Sequence, residues 1–575
     1  MPGAAMTRLL RTIPLLVALT GVLVYLPSLR LDFILEDYLH LKFLETSGWV
    51  ERTSLPQVWR YRFFSSQHTR LWWTSERLDI HHWRPLGLYS LLLDRRLFGR
   101  NPLGFHATQL ALWGLLLASL AALYRRLGAD FGKPPLLALL AGLCYALQGA
   151  HAINVGYVSN GRYALLCALF SIGALLLYHR YRREGRPGPL YGCLLLLGLG
   201  LLSGELAIGA VLWVLAYECC LGLGTPAQRA QAAAPVLLLG SLYLTWYKLT
   251  GHGTSGMSGY VDPLDDPGLF LKSAFLERLP LLMLGTLTPL PPTLSFLMGE
   301  HVALALAWIL GGGMLLLLLP HLRRDPVARF MALGAGLSML PAAATTPGNR
   351  LLLFPAVGGA WVLASFAAEA LARPAAGARA LGTGILACQL LVGPAMGAWN
   401  LRHLKAQSAT TRAAQGASLP EDPQARILLL SSPDPLAALY LPDIRWCLGK
   451  PMRSDPWALS FVPGVHRLTR TAPNAFRLEP PGGFLGTWAE RFFSEGDRLA
   501  PGRVLCYEGV TVTPGALTPE SLLRDIQVSV DRPLDGEDVW LLAWNGKQWA
   551  RVRPPALGQT LEVGIDPVAR WVMDR

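Results

Sequence analysis

Over its first four hundred residues the chain alternates long apolar runs with short polar links. A bilayer core about 30 Å thick asks for roughly 20 apolar residues per helix. By that measure the runs 10–29, 104–125, 134–150, 163–179, 189–203, 205–222, 233–250, 301–320, 327–344, 350–372 and 379–399 predict eleven membrane helices, several short for a full crossing. Pro280, Pro289, Pro291 and Pro292 interrupt a further apolar stretch, 276–298, which reads as membrane-dipping, interfacial or another span. The first run has no small-residue cleavage site and continues into Arg30-Leu31-Asp32, so it reads as a retained anchor.

Beyond about residue 403 the pattern changes. Residues 426–432 (RILLLSS) predict a buried strand, and 503–513, 526–530 and 538–544 carry β-favouring residues bounded by Pro and Gly. In LLAWNGKQWARV, Asn545-Gly546 predicts a type I′ turn joining two strands. The expected fold is therefore mainly α: a polytopic membrane domain over 1–402, with a long first outer loop at 30–103, then a C-terminal extracytoplasmic β-rich domain over 403–575.

Composition sharpens this picture. Of 575 residues, 52% are hydrophobic and 15% charged, against about 25% charged in ordinary soluble chains, and the mean hydropathy is +0.35. Too little charge remains to coat several soluble domains, and disorder and collagen-like repeats are excluded. The net charge of +13 comes without any run of five or six Lys/Arg, which argues against nucleic acid as a partner. Instead, Arg8 and Arg11, Arg125, Arg126 and Lys133, Arg180 to Arg186, Arg229, Arg323 and Arg324, and Arg373 and Arg379 fall on one side if 276–298 does not cross. That side is expected to be cytoplasmic, which places the tail outside. Six of the eight cysteines lie in apolar runs; Cys447 and Cys506 lie in the tail, where an oxidising compartment would allow a disulfide. No CxxC or Cys/His cluster suggests a metal.

Charges beside membrane helices are costly and need a reason. Glu36-Asp37 stands just past the outer end of the first run, before an amphipathic stretch. A carboxylate beside lipid is suited to accept a proton from an acceptor hydroxyl; the alternative is that both acids solvate a helix end. Arg84, in His81-His82-Trp83-Arg84-Pro85-Leu86, suits a phosphate through its planar fork, or else snorkels to lipid headgroups. His106 follows Asn101-Pro102-Leu103-Gly104-Phe105, and a histidine on an apolar helix is commonly a packing residue. His151 and Arg162 lie in the polar link Gly149–Tyr163, Glu205 is a lone acid between two apolar runs, and Arg350 follows Thr346-Pro347-Gly348-Asn349. These would be turn residues or would face a substrate; Arg350 would pair with a phosphate or with an acid such as Glu36. Neither a P-loop nor GxGxxG occurs at a site position, and no Ser-His-Asp order is evident.

The ordered set Glu36-Asp37, Arg84-Pro85-Leu86, Pro102-Leu103-Gly104-Phe105-His106, His151-x-x-x-Val155, Gly161-Arg162, Gly204-Glu205 and Arg350 resembles the C-type (GT-C) polytopic glycosyltransferases. It looks closest to the branch of tetratricopeptide-associated protein O-mannosyltransferases and their bacterial relatives. The resemblance covers roughly residues 10–370. Three departures stand out: the acidic pair is Glu-Asp rather than Asp-Asp or Asp-Glu, Gly204 stands where the family usually has Lys, and a β-rich segment replaces tetratricopeptide repeats. The resemblance implies an inverting enzyme that takes a hexosyl or pentosyl group from a polyprenyl-phosphate carrier and gives it to a protein, polysaccharide or glycolipid acceptor outside a bacterial plasma membrane. It implies Glu36 or Asp37 as catalytic base, with Arg84, His106, His151, Arg162, Glu205 and Arg350 binding substrate. No cofactor is required, though a divalent metal helps some relatives. A transporter or lipid flippase, or a non-catalytic scaffold with this fold, is the competing expectation. The first would need acids or broken helices near the bilayer midplane, whereas these charges gather at one edge.

Overall fold

A computed structural model describes residues 2–46, 60–62, 68–75, 78–413, 419–432, 434–494 and 499–565. Parts of the expected first outer loop and the last residues of the tail lie outside these. Among the described residues, helices overlie all eleven expected apolar runs, from Pro2–Tyr25, which continues as a 3-10 turn over Leu26–Arg30, to Gly393–Ala413 at the end of the last. Their starts follow local rules. Pro102, Pro135, Pro226, Pro326 and Pro355 each occupy a first helical position, where the missing amide costs nothing. Asn101 and Asp325 cap exposed amides with their side chains, and Thr225 with Gln228 forms a capping box.

Among the described residues, six helices are long and apolar enough to cross a membrane: Thr12–Arg30, Pro102–Asp130, Val158–Glu184, Glu300–Arg324, Pro355–Ala372 and Ala376–Ala413. The chain is an integral membrane protein. Pro135–Ala146 and Gly188–Leu201 are apolar but shorter. The ambiguous 276–298 stretch breaks into a π turn (Ala274–Arg278), a helix (Leu279–Leu287) and a short helix (Leu294–Met298). Leu279–Leu287 rises only about 14 Å, about half a bilayer core, and its Leu281, Leu282 and Leu284 pack into apolar clusters with Leu352, Met339 and Ala307.

The chain divides into two compact units that are discontinuous in sequence. The first comprises Met1–Asp32, His82–His252 and Val261–Lys405. The second comprises Phe33–His81, Gly253–Tyr260 and Ala406–Arg575. The sequence-based cut near 402 keeps all of 30–103 with the membrane helices. In the structure most of that loop belongs to the second unit instead, because its backbone and side chains are bonded to the tail. Arg70–Leu71 pairs in parallel with Pro456–Ala458, and Trp72 Nε1 donates to the Leu459 carbonyl at 2.9 Å.

The first unit is all helical, with Trp113, Trp213, Trp361, Tyr124 and Tyr145 fully buried. The second holds three sheets. Six antiparallel strands run in the order Thr560–Val563, His466–Ala472, Ala475–Glu479, Ile526–Val530, Val510–Pro514, Leu505–Tyr507. A mixed five-stranded sheet runs Trp549–Val552, Val539–Trp544, Arg426–Leu429, Pro456–Ala458, Arg70–Leu71. A small antiparallel sheet joins Arg60–Arg62, Asp79–His81 and Gly253–Ser255. Alternating buried and half-buried positions in Val510–Pro514 and Ile526–Val530 are the period-2 signal of a one-faced sheet.

Two local expectations change. The β-favouring stretch 503–513 forms two paired strands, a hairpin turning at Gly509, whose φ of 73° favours glycine. The 538–552 hairpin is present, but its last paired residues, Trp544 and Trp549, leave four residues between them. Gly546 alone among those four has positive φ, and the Asn545 carboxamide accepts from the Lys547 and Gln548 amides, so the turn is not type I′. Cys447 and Cys506 are not joined: Cys447 is buried with Sγ donating to the Tyr38 carbonyl, and Cys506 is an exposed thiol.

Candidate functional site

Glu36 and Asp37 open the helix Glu36–Thr46 in the second unit, where carboxylates suit the exposed amides of a first turn. The two acids are used differently. Asp37 is buried, and its Oδ2 accepts from the Ile34 amide at 3.0 Å while its own amide donates to the Ile34 carbonyl at 2.9 Å. This double clasp closes the turn. Between them Leu35 is held at φ 46°, a left-handed conformation unusual for a branched residue, with its side chain buried. Such strain persists only where the surroundings over-determine it, and it clusters at working sites. The turn directs Glu36 outward to partial exposure, and its Oε1 accepts from the Tyr440 hydroxyl at 2.9 Å.

Further along the same helix, Lys42 Nζ donates to Asp443 Oδ1 at 3.0 Å, with both side chains buried and His68 Nδ1 at 3.6 Å from the other Asp443 oxygen. His40 Nδ1 lies 2.8 Å from the Glu36 carbonyl.

In the first unit Arg84 and Glu205 meet. Arg84 Nε and Nη2 both lie 2.9 Å from Glu205 Oε2, while Oε1 accepts from Tyr247 at 3.0 Å and lies 3.4 Å from His82 Nδ1. Arg84 also stands over the Tyr163 ring at 5.3 Å. Burial, and then the Arg84 charge, lower the His82 imidazole below its ordinary value. A Cβ added at Gly204 would meet only Arg84 Nε, at 3.9 Å. The position therefore has room for a side chain beside a guanidinium that already bonds Glu205.

Arg162 is wholly buried. Nη2 donates to Asp94 Oδ2 at 2.6 Å and the Phe105 carbonyl at 3.2 Å, Nε to Gln109 Oε1 at 2.9 Å, and Nη1 to Ser90 Oγ at 2.8 Å. These bonds tie Pro85–Phe98, Pro102–Asp130 and Val158–Glu184 together. Gly161 beside it is required: a Cβ there would stand 2.0 Å from the Asn154 carbonyl, the group Gln109 Nε2 also bonds at 2.8 Å.

His106 and His151 are fully buried, and neither ring nitrogen of either has a hydrogen-bond partner among the described residues. His151 packs against Tyr145 and Trp113, with ring centroids at 4.4 and 5.1 Å. Buried polar atoms left in this way call for a water or ligand. Arg350 is half-buried on the 3-10 turn Asn349–Leu353, and its carbonyl accepts from Asn154 at 3.5 Å.

Sequence reasoning missed Asp94, Gln109, Tyr247 and Tyr440. Asp94 carried a signal, being the lone acid in the apolar run Pro85–Phe98. Tyr440 carried none, since its partner lies 404 positions away. No group of three or more His, Cys, Asp or Glu among the described residues is placed to hold a metal ion.

No family model matches the chain, and no curated protein matches it. Among solved structures, it is similar to the Archaeoglobus fulgidus oligosaccharyltransferase, crystallised tethered by a disulfide to an acceptor peptide containing the NVT sequon. Identity is 12%, coverage 77% of this chain and 64% of that one, and TM-score 0.41. The apo form of that enzyme gives 11% identity, the same coverages and TM-score 0.40. The chain thus spans 64% of the archaeal protein's length. ArnT from Cupriavidus metallidurans, bound to undecaprenyl phosphate, gives 13% identity over 77% of this chain and 89% of that one, with TM-score 0.39.

Proposed function

We propose that the protein is an inverting, GT-C-type glycosyltransferase that moves a sugar from a polyprenyl-phosphate carrier to an acceptor hydroxyl on the extracytoplasmic side. The observation that carries this reading is the turn at 34–37. A strained Leu35 and a backbone-clasped Asp37 present Glu36, half-exposed, with one oxygen oriented by a tyrosine hydroxyl. Strain invested in presenting one carboxylate fits a general base.

In the reaction the acceptor oxygen attacks the anomeric carbon and loses its proton to Glu36. The bond from that carbon to the phosphate oxygen breaks, and its electron pair leaves with the lipid phosphate. Asp37 holds the turn. Arg84 and Arg350 are assigned to the leaving phosphate, whose growing charge a cation stabilises, with Glu205 and His82 setting the pose of Arg84. His106 and His151, each with two buried nitrogens to satisfy, are assigned to substrate binding. Arg162 already spends its fork on four neighbours, so its contribution is to fix the helices that carry His106. The acceptor is a protein, polysaccharide or glycolipid. The carrier lipid lies in the membrane that the apolar helices occupy.

The test uses the full-length protein in proteoliposomes with a panel of polyprenyl-phosphate hexoses and pentoses, reading release of polyprenyl phosphate. Release is expected with at least one donor, and Glu36→Gln is expected to lower it at least about a hundredfold. Full activity of Glu36→Gln would refute the assignment of the base.

A further inference from the structure

The tail of the chain has no assigned role, yet one of its side chains reaches the acid that the reading above makes the base. We propose that Tyr440 is a positioning residue for Glu36, so that the C-terminal segment is a working part of the active site rather than an appended domain. This inference rests on the proposed role of Glu36.

The geometry is specific. Tyr440 ends the short helix Pro435–Leu439 and serves as N-cap of Leu441–Cys447. It is buried, and its hydroxyl donates to Glu36 Oε1 at 2.9 Å. A hydrogen bond to a carboxylate is stronger than one between neutral groups, and it fixes the side chain's direction. Two further bonds keep the two helices in register. Three residues beyond Tyr440, Asp443 takes the Lys42 ammonium at 3.0 Å, and four further on Cys447 donates to the Tyr38 carbonyl at 3.3 Å. Thr69 Oγ1 adds a bond to the Ala438 carbonyl at 2.6 Å, holding the preceding turn. The helix bearing Glu36 is therefore bonded to tail residues through Glu36, Tyr38 and Lys42. Tyr440 is the member of this set that touches the carboxylate itself.

A hydroxyl that orients a base acts on the chemical step more than on donor binding. Tyr440→Phe keeps the ring and its packing and removes only the donated bond. In the full-length protein, with whichever polyprenyl-phosphate sugar supports turnover, Tyr440→Phe is expected to lower kcat about tenfold. Donor KM should stay within twofold and the melting temperature should match the parent. The Glu36→Gln/Tyr440→Phe double variant should be no worse than Glu36→Gln alone, because the hydroxyl then has no base to position. A second readout needs no turnover: carbodiimide labelling of Glu36, followed by peptide mass spectrometry, should rise severalfold in Tyr440→Phe. Unchanged kcat in Tyr440→Phe while Glu36→Gln is inactive overturns the positioning role and leaves the base assignment standing. Full activity in Glu36→Gln overturns the base assignment itself. Unchanged labelling overturns the Tyr440–Glu36 bond in either case.

Discussion

Arg84 and Glu205, 121 positions apart, form a forked ion pair in which two guanidinium nitrogens converge on one carboxylate oxygen at 2.9 Å. The other oxygen is taken by Tyr247 and faces His82. The cation proposed above for the leaving phosphate is thus held by a partly neutralising acid. Its position is set by the carboxylate. Glu205→Gln keeps the shape and removes the charge. Donor KM is expected to change severalfold while kcat at saturation changes little, the mark of altered binding rather than altered chemistry.

The same cluster predicts a pH dependence of stability. His82 is held below its ordinary value of 6.5 in the folded protein. As pH falls below 6.5 the unfolded chain therefore takes up a proton that the folded chain refuses, and stability declines with falling pH. Melting temperature measured from pH 8 to 5 should fall for the parent, and the fall should be shallower for His82→Gln. An unchanged slope in His82→Gln would remove His82 as the cause.

Arg162 and Asp94 make a structural prediction that separates packing from phosphate binding. Both are buried, at 0% and 2% exposure, and the pair is bonded on every side. Asp94→Ala leaves a guanidinium buried without its counter-charge, at a cost of about 3–5 kcal/mol. Arg162→Lys cannot restore the loss, since one ammonium does not reach the carboxylate, the carboxamide, the hydroxyl and the carbonyl that the fork reaches now. Both variants should lose detergent-solubilised protein in a thermal scan. A variant of Arg162 with parental stability and a raised donor KM would reverse this assignment.

How far the sequence carried this picture depends on the range of the interaction. Apolar runs of helical length read directly as helices, and so did strands at Arg426–Leu429, Ile526–Val530 and Val539–Trp544, because burial along one element is written in consecutive residues. The Pro-rich 276–298 stretch stayed ambiguous because proline breaks both candidate patterns. Tertiary pairings were a different matter. Glu36-Asp37 announced itself as an adjacent acidic pair, but nothing local says that Asp37 closes the turn and Glu36 faces Tyr440. Likewise, Arg70–Leu71 is two residues of a strand whose partner, Pro456–Ala458, lies in the tail, so a cut drawn along the chain near 402 missed the join.

Sidedness can be read with a thiol already present. Cys506 is exposed on a strand of the second unit, whereas Cys447 is buried. If the tail is extracytoplasmic, as the arginine distribution predicts, a membrane-impermeant maleimide applied to intact cells should label the protein, and Cys506→Ser should remove that labelling. Labelling only after permeabilisation would place the tail inside and reverse the expected orientation.

Lys42 and Asp443 give the sharpest stability test of how the helix Glu36–Thr46 is seated. Lys42 is 7% exposed and Asp443 0%, so each ion has given up most of its water and depends on the other. Asp443→Leu removes the carboxylate from the buried ammonium. Lys42→Met removes the ammonium from the buried carboxylate. Each single change is therefore expected to cost about 3–5 kcal/mol. The double variant places two apolar side chains of similar reach in the same space and leaves no charge behind. Buried ion pairs replaced in this way are often neutral to stability, so the double variant should melt well above either single one. A double variant as unstable as the sum of the singles would mean that the two residues are not coupled, and that the helix Glu36–Thr46 is seated by other contacts.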